Sequence, residues 1–240
     1  MQQVAEKVRP KIDLGEFKTA RAVVLLSGGL DSAVTTWIAK RECIELYALT
    51  ILYGQRHKKE VECAKELAKE LGVVEHKVLE LPLGELTESS LLGNREIPTN
   101  GLEEGIPSTW VPQRNAIFLA LAFSWAEVVG ADKVYIGVNA VDYSGYPDCR
   151  PEFVSSMDNA LNLASKRFVE GGPGIQIVAP IISLPKNRIV ELGLRLGVPF
   201  SSTWSCYSGG ARACGSCDSC RIRRRAFLDC GVEDPIEYEN

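Results

Sequence analysis

A short run of glycine and hydroxyl residues, SGGLDS at 27–32, stands between an apolar run and a helical stretch. Glycines allow close backbone approach to a ligand, and successive N–H groups at a helix N-terminus form an anion site. Ser27 and Ser32 can add hydroxyl donors. Asp31 would repel a phosphate, so it fits either a helix cap or a ligand of Mg²⁺ that bridges it to the anion. The loop predicts phosphate binding, with a plain strand–helix turn as the alternative.

Four of the eight cysteines lie close together near the C-terminus, in the pattern C-x7-C-x2-C-x2-C. They are Cys206, Cys214, Cys217 and Cys220. The C-x2-C spacing places two thiolates on one turn, and four thiolates complete a tetrahedral shell without an open position, which is typical of structural zinc. A redox dithiol would use one C-x2-C pair and leave the other cysteines without a role. Unligated thiols are the remaining alternative.

A third polar segment, NAVDYSGYPDCR at 139–150, follows the strand-like run KVYIGV. Its tyrosine rings can stack on a flat purine-like base, its carboxylates can accept from a guanine-type N–H edge, and its arginine can pair with a carboxylate. The residues that we assign to substrate are Asp142, Tyr143, Tyr146, Asp148 and Arg150. A structured turn in which Asp148 caps the helix at 151–167 is the alternative. Nothing in the neighbouring residues activates Cys149 as a nucleophile.

Strands and helices that alternate along the chain must position these segments. Apolar, β-branched runs predict strands at 21–26, 45–52, 75–81, 133–138 and 175–180. Helical periodicity predicts helices between them, including 57–72, 115–130, 151–167 and 186–197. This order predicts a five-stranded, doubly wound parallel sheet. Ligands in such sheets bind beyond the carboxyl ends of the strands, which selects the loops 27–32, 53–57, 139–150 and 180–186.

Composition and charge limit the classes of function. The chain has 240 residues and a formal net charge of −4, so no overall nucleic-acid footprint is expected. The basic run at 221–225 is interpreted as a solvated helix face, with an RNA contact as the alternative. No secretory or membrane segment is evident, and we expect a cytoplasmic protein. We divide the chain into an N-terminal extension at 1–20, an α/β domain at 21–200 and a zinc-binding segment at 201–240.

The pattern SGGxDS resembles the signature of PP-loop ATP pyrophosphatases, whose fold is adenine nucleotide hydrolase-like. Longer strings, spread in order over about 21–235, resemble one PP-loop family, the 7-cyano-7-deazaguanine (preQ0) synthases. They are LLSGGLDSA, YGQRHKKEVECAKELA, VPQRNAIFLALA, IGVNAVDYSGYPDCRPEF, LPKNRIVELGLRLGVP and TWSCYSGG with CGSCDSCRIRRRAF. The chain departs from the family pattern at Gln113, where glycine is more common, at Pro185, where serine is common, and in a first cysteine gap shorter by one residue.

The resemblance implies a ligase of queuosine and archaeosine biosynthesis. Members convert 7-carboxy-7-deazaguanine and ammonia to the 7-cyano product at the expense of ATP, through an adenylated carboxylate and an amide. The implied cofactors are ATP, Mg²⁺ and one structural Zn²⁺ per chain. The partners are small-molecule substrates, without nucleic acid or membrane, and a homodimer is expected.

The resemblance also implies roles for particular residues. Asp31, Lys186 and Arg114 are the predicted catalytic residues: Lys186 reaches the phosphates from the side opposite the glycine loop, and Arg114 binds phosphate or the substrate carboxylate. The alternatives are a solvated first-turn lysine and a surface arginine. His57 could equally be an ordinary residue at a helix start. The residues predicted to bind the nucleotide are Leu26, Ser27, Gly28, Gly29, Leu30, Asp31, Ser32, Tyr53, Gln55, Arg56 and His57.

Three other functions compete with this interpretation. A PP-loop enzyme that thiolates transfer RNA would need a reactive cysteine outside the metal site and salt-sensitive RNA binding. An amide ligase that makes NAD or GMP would have to take ammonia from solution, because the chain has no room for a glutaminase domain. A non-catalytic ATP-binding regulator would leave the cysteine cluster and the loop 139–150 without a task.

Overall fold

The computed structural model describes residues 20–55, 59–87, 89–92, 105–140, 146–208 and 210–239. Within these ranges a five-stranded parallel sheet runs in the order β3-β2-β1-β4-β5. The strands are β1 (Arg21–Leu25), β2 (Glu45–Leu52), β3 (Glu75–Glu80), β4 (Lys133–Tyr135) and β5 (Gln176–Val178). The predicted α/β fold with a parallel sheet is therefore confirmed.

Seven α-helices are present in the described ranges. They are α1 (Leu30–Glu42), α2 (Lys59–Leu71), α3 (Arg114–Val129), α4 (Pro151–Leu163), α5 (Lys166–Val169), α6 (Lys186–Leu196) and α7 (Asp218–Asp229). Short 3₁₀ helices occupy Leu83–Glu85, Pro147–Cys149 and Phe200–Ser202. The predicted helix 151–167 is divided in two, because Ser165 ends the first part and caps the second by accepting from the Phe168 N–H.

Strand β1 lies at the centre of the sheet and separates two apolar cores. Its side chains alternate, so Ala22 and Val24 face one core while Val23 and Leu25 face the other. The first core is packed by α1, α2, α6 and α7, and the second by α3 with α4 against it. Helices on both faces of a parallel sheet leave its carboxyl edge as the open side.

The observed β4 is shorter than the predicted strand at 133–138. Beyond Tyr135 the chain passes directly over the first turn of α1, where a Cβ on Gly137 would lie 3.0 Å from the Asp31 carbonyl oxygen. The close approach disfavours a larger side chain at this position, and the pairing with β1 ends at Tyr135. The end of the strand therefore enters the edge at which the glycine loop lies.

The C-terminal helix α7 packs against the sheet domain. The Phe227 ring meets the ring of Phe200 edge-on, with their centroids 5.1 Å apart. Of the four arginines in the basic run, three are exposed and Arg223 is only 2% exposed. The interpretation of this run as a solvated face is therefore wrong for Arg223. All helices in the described part of the chain are too short or too polar to cross a membrane.

Candidate active site

A cavity of about 280 Å³ opens at the carboxyl edge of the sheet. The loop after β1, the ends of β2 and β4, and the first turns of α2, α3 and α6 line it, together with the segment around Trp204. Because parallel strands end at the same edge, loops far apart in the sequence meet here. The cavity is the place where the polar segments singled out from the sequence converge.

The loop at 27–32 is held by its own serines. The Ser27 backbone N–H donates to Ser32 Oγ at 3.2 Å, and the two hydroxyl oxygens are 3.0 Å apart. The Gly29 N–H donates to Ser27 Oγ at 3.2 Å, while Ser32 Oγ donates to the Gly29 carbonyl at 3.0 Å. Neither Asp31 nor Ser32 is the N-cap of α1, since that position is Gly29, without a side-chain cap. The backbone of the loop is thus preformed.

Gly28 is the point at which this loop touches α2. Its φ is +90°, and a Cβ there would lie 2.0 Å from the Glu60 carbonyl oxygen and 2.9 Å from the Ala64 nitrogen. No side chain fits into that space, so glycine is required both by the conformation and by the contact. The first turn of α2 therefore packs directly against the glycine loop.

Lys186 and Asp31 form an ion pair at the cavity wall. Lys186 Nζ lies 2.9 Å from Asp31 Oδ1 and 2.7 Å from Asp31 Oδ2, and the lysine is only 9% exposed. The alternative of a solvated lysine therefore does not describe its environment. The pair joins the first turns of α6 and α1, which are 155 residues apart.

Arg114, in the first turn of α3, faces the same cavity and contacts Tyr53 at the end of β2. Arg114 Nη1 donates to Tyr53 Oη at 3.1 Å, and the guanidinium lies 5.4 Å from the ring centroid. Burial by itself would lower the pKa of Arg114, but Tyr53 and Asp148 outweigh burial and raise it. Gln55 Oε1 accepts from the Tyr53 N–H at 2.7 Å, which fixes the chain after β2. A permanent positive charge is thus held at the cavity.

The substrate loop divides into residues inside and outside the cavity. Tyr146 lines the cavity, and its hydroxyl lies 2.5 Å from Thr109 Oγ1. Asp148 and Arg150 are not part of the lining, and the exposed Arg150 donates to the Pro147 carbonyl at 3.2 Å. The other predicted site residues, Arg56, His57, Asp142 and Tyr143, lie outside the described residues.

Asp148 is buried at the start of α3. Its Oδ2 accepts from the Asn115 backbone N–H at 3.0 Å, and its carbonyl accepts from Asn115 Nδ2 at 3.0 Å. It therefore satisfies one of the orphan N–H groups of α3. The alternative in which Asp148 caps the helix at 151–167 is not observed, because the N-cap of α4 is Arg150, without a side-chain bond. This placement next to Arg114 orients the first turn of α3.

Several lining residues were missed in the sequence, among them Glu60, Asn115, Asn139 and Arg223. Asn139 is buried, and its Nδ2 donates to the Ile181 carbonyl at 3.2 Å and also to the Leu184 carbonyl. It thereby ties the end of β4 to the turn that leads into α6 and to Lys186. The sequence did contain a signal for Asn139. It is a polar residue directly after the predicted strand 133–138, at the first position of the loop 139–150.

The four clustered cysteines converge on one point. Their sulfur atoms all lie within 4.8 Å of one another, and those of Cys214 and Cys220 are 4.0 Å apart. Tetrahedral coordination at a metal–sulfur distance of about 2.3 Å would place sulfur atoms about 3.8 Å apart. Hydrogen bonds from the Cys217 and Cys220 thiols lower the pKa of Cys206, and the N–H groups of Cys214 and Ser208 lower it further. The donor set fits a metal ion that needs four thiolates.

The cysteine cluster is adjacent to the glycine loop. The Trp204 N–H donates to the Gly28 carbonyl at 2.9 Å, and its indole N–H donates to the Cys206 carbonyl at 3.1 Å. Lys59 Nζ lies 3.7 Å from the centroid of the Trp204 ring and donates to the Ala211 carbonyl. One residue therefore contacts both the loop and the cluster.

Arg223, in α7, stabilises the segment that carries Trp204. Its guanidinium pairs with both carboxylate oxygens of Asp234, at 2.8 and 3.0 Å, and the two side chains are 2% and 4% exposed. It also donates to Thr203 Oγ1 at 2.8 Å and to the Phe200 carbonyl at 3.1 Å. The chain on either side of Trp204 is thus held by one buried arginine.

The sequence matches the family of the queuosine biosynthesis protein QueC over residues 21–231. The chain belongs to the QueC family. The match spans the glycine loop, the Lys186 helix and all four clustered cysteines, so it covers both the cavity and the neighbouring cysteine cluster.

Curated relatives resemble this QueC-family chain along almost their whole length. The 7-cyano-7-deazaguanine synthase of Cupriavidus pinatubonensis (strain JMP 134 / LMG 1197) is 51% identical over 225 residues, which cover 92% of this chain and 99% of the relative. The 7-cyano-7-deazaguanine synthase of Syntrophobacter fumaroxidans (strain DSM 10017 / MPOB) is 48% identical over 231 residues, covering 94% and 99%. Among solved structures, NMN synthetase from Francisella tularensis is 20% identical, with a TM-score of 0.47 and coverage of 89% and 78%.

Proposed function

We propose that this QueC-family protein is a 7-cyano-7-deazaguanine synthase, an ATP-dependent ligase of queuosine biosynthesis. It converts 7-carboxy-7-deazaguanine and ammonia to 7-cyano-7-deazaguanine. The observation that carries the proposal is the near-complete alignment with relatives of that name at about half identity. The cavity supports it, because one preformed anion loop, one buried lysine and one arginine converge there.

We assign the loop at 27–32 to the phosphates of ATP. Backbone N–H groups at the start of α1 and the serine hydroxyls are suited to an anion, and Leu26 and Leu30 flank them. Asp31 and the serine hydroxyls offer oxygen ligands, which Mg²⁺ prefers, so these residues would hold Mg²⁺. When bound, Mg²⁺ would neutralise charge that develops on the phosphates. Tyr53 and Gln55, with Arg56 and His57, would lie beside the nucleotide.

Lys186 and Arg114 supply the fixed positive charge that the chemistry needs. A carboxylate is a poor electrophile, and attack of its oxygen on the α-phosphorus of ATP releases pyrophosphate and leaves an acyl adenylate. Ammonia then displaces AMP to give the amide. A second activation, at the amide oxygen, allows that oxygen to leave as the nitrile forms. Each step moves negative charge onto phosphate oxygens, where preorganised cations in a partly buried site are most effective.

We assign the deazapurine to the side of the cavity formed by Tyr146 and Phe118. Both line the cavity, and an aromatic ring can stack on a flat base. Asp142 and Tyr143 are proposed as further contacts from the same loop. Asp148 and Arg150 would act on the substrate through the position of that loop and of Arg114.

For the cysteine cluster we propose one Zn²⁺ with a structural role. Cys206, Cys214, Cys217 and Cys220 provide four sulfur ligands, and zinc is the metal for which a closed shell of four thiolates is typical. Zinc would supply a cross-link that holds the segment carrying Trp204. We retain the division into 1–20, 21–200 and 201–240, with the last segment packed on the α/β domain.

Two further assignments concern assembly and location. We propose a homodimer that binds small molecules only, without nucleic acid or membrane, and that works in the cytoplasm. Sedimentation of the purified protein would give the oligomeric state. Binding of transfer RNA at physiological salt would contradict the assignment of small-molecule substrates alone.

The thiolating alternative needs a reactive cysteine, and the described residues offer poor candidates outside the cluster. Burial raises the pKa of Cys63 to about 11 and of Cys149 to about 12. It also raises the pKa of Cys43 and of Cys230. At neutral pH these thiols are protonated, and the thiolate is the nucleophile. These pKa shifts favour the ligase over an enzyme that carries sulfur.

The test is direct assay of the chemistry. The protein, ATP, Mg²⁺, ammonium and 7-carboxy-7-deazaguanine would be incubated, and products followed by mass spectrometry. We expect the amide and then the nitrile, and exchange of labelled pyrophosphate into ATP that depends on the carboxylate. Absence of both products and of exchange, in protein that carries its metal and is folded, would contradict the proposal.

A further inference from the structure

Glu60 occupies a position at the cavity that its sequence neighbourhood did not reveal. It lies in the first turn of α2 and lines the cavity. Its backbone is fixed, because its carbonyl oxygen occupies the space in which a side chain at Gly28 would stand. No hydrogen bond or ion pair joins its carboxyl to another residue in the part of the chain that the structure describes. Glu60 therefore brings to the cavity lining a carboxyl without a bonded partner among the described residues.

The electrostatic surroundings of Glu60 favour proton exchange near neutrality. Burial raises the pKa of Glu60 to about 7, and the charge of Arg114 opposes the rise. Among the described residues, Arg114, Tyr53 and Cys63 interact electrostatically with Glu60. The other charged or titratable side chains that line the same cavity are Asp31, Tyr146, Cys149, Lys186, Tyr207 and Arg223. Lys186 and Arg223 are paired with Asp31 and Asp234, and Arg114 is the cation that acts on Glu60 within the described part of the chain. A general base works best when its pKa is near the working pH.

The proposed function requires such a group, and this inference rests on it. When ammonia adds to the acyl carbon, the new nitrogen carries a positive charge, and the amide cannot form until a proton leaves. Asp31 is paired with Lys186, and Asp148 is engaged at the start of α3. We propose that Glu60 is the general base of the amide-forming step.

The step balances without any further reactant. Ammonia forms the C–N bond to the acyl carbon, and the carbonyl electron pair moves onto oxygen. The Glu60 carboxylate accepts one proton from the new nitrogen. The C=O bond then re-forms while the C–O bond to AMP breaks, and AMP leaves with that electron pair. The protonated Glu60 returns its proton to solvent before the next turnover.

The experiment compares E60Q and E60D with wild type, and with E62Q as a control at an exposed glutamate of the same helix. Carboxylate-dependent pyrophosphate exchange measures adenylation, and single-turnover amide formation measures the ammonia step. We expect E60Q to slow amide formation by about 10²-fold or more, with exchange within about threefold of wild type. E60D should recover part of the loss, and E62Q should match wild type.

A pH profile at constant free ammonia separates a proton acceptor from a structural residue. Because Glu60 must be deprotonated to act, the wild-type rate of amide formation should rise with pH through about 7 and then level. In E60Q this acidic limb should disappear. The inference would be overturned if the acidic limb of the pH profile persists in E60Q. It would also be overturned if the rate of amide formation in E60Q is within threefold of the wild-type rate. Parallel losses in exchange and amide formation would also overturn it, since they indicate a role in holding the nucleotide.

The two proposals fail in different ways. If wild-type protein shows no carboxylate-dependent exchange, the proposed function is wrong and the role of Glu60 in it fails as well. If exchange and amide formation are normal in wild type but also in E60Q, only the role of Glu60 is wrong.

Discussion

The backbone N–H of Trp204 donates a 2.9 Å hydrogen bond to the carbonyl oxygen of Gly28. Two residues later, Cys206 begins the cysteine cluster, and its carbonyl accepts from the indole of the same tryptophan at 3.1 Å. The loop assigned to ATP and the cluster assigned to zinc are therefore joined by one side chain and one backbone bond. We therefore expect that a metal bound by the cysteine cluster would affect catalysis, although it would take no part in the reaction itself.

Removal of the metal tests this coupling. Treatment with a strong chelator should lower the melting temperature and abolish pyrophosphate exchange, because residues around Trp204 lose their anchor and the glycine loop loses a partner. C217S should behave in the same way, since it deletes one of the four ligands. C230S is the matched control, because Cys230 is not one of the four clustered cysteines. The serine hydroxyl in this variant can keep the hydrogen bond that the Cys230 thiol donates to the Asn187 carbonyl. Unchanged melting temperature and exchange after verified loss of metal would contradict a structural role.

Replacement of Gly28 by alanine tests the contact between the glycine loop and α2. A Cβ 2.0 Å from the Glu60 carbonyl oxygen must displace either the loop or the helix. We expect G28A to lower pyrophosphate exchange by at least about 10²-fold, since a displacement of about 1 Å can have that effect. G72A is the control: Gly72 also has positive φ, at +60°, but nothing lies within 4 Å of its Cβ position. Equal behaviour of the two variants would show that conformation, and not contact, is what matters.

The Lys186–Asp31 pair predicts a shared loss of function. K186M and D31N should each reduce pyrophosphate exchange by about 10²–10³-fold, as expected when a donor to developing charge is removed. The double variant should lose less than the product of the two single losses, because residues that contact each other are not independent. K166M, at a lysine whose side chain is 80% exposed, is the control. Near-normal exchange in either single variant would remove that residue from the site.

Asp148 offers a test between direct binding and positioning. Because it accepts from the Asn115 N–H next to Arg114, D148A should weaken the use of ATP and of the deazapurine carboxylate to a similar degree. D148N should retain more activity, since its amide oxygen can still accept that N–H. Apparent KM values for both ligands, with melting temperatures, would be measured. A much larger effect on the deazapurine than on ATP is the outcome predicted from the sequence, and would indicate direct contact.

The fold was largely predictable because its signal is local. Apolar β-branched runs between helical stretches predicted each strand, and β2 (Glu45–Leu52) has the predicted bounds. Two errors remain, one tertiary and one local. The end of β4 lies where Gly137 passes over Asp31, a contact that no window of neighbouring residues reports. Ser165 divides the predicted helix 151–167 by capping a new helix through the Phe168 N–H, a local signal that the helical periodicity obscured.

The site was predictable where motif and position coincide. Two motifs indicate their chemistry within a short segment. One is SGGLDS directly after an apolar run, and the other is the set of four cysteines at chelating spacing. Glu60 and Arg223 were missed because each lies in an ordinary helical pattern. Burial raises the pKa of Glu60, and Arg223 forms a buried ion pair with Asp234. Both effects depend on how separate elements pack against one another.

The sequence by itself determined the order of strands and helices, the glycine loop, the grouping of four cysteines and the family resemblance, because periodicity and motif spacing are properties of the chain. Only the tertiary structure decided that Lys186 meets Asp31 across 155 residues, that Asp148 serves the start of α3, and that Trp204 supports Gly28. These contacts arise where the carboxyl ends of parallel strands bring distant loops to one edge. Their energies depend on distance and burial, which a linear sequence does not contain.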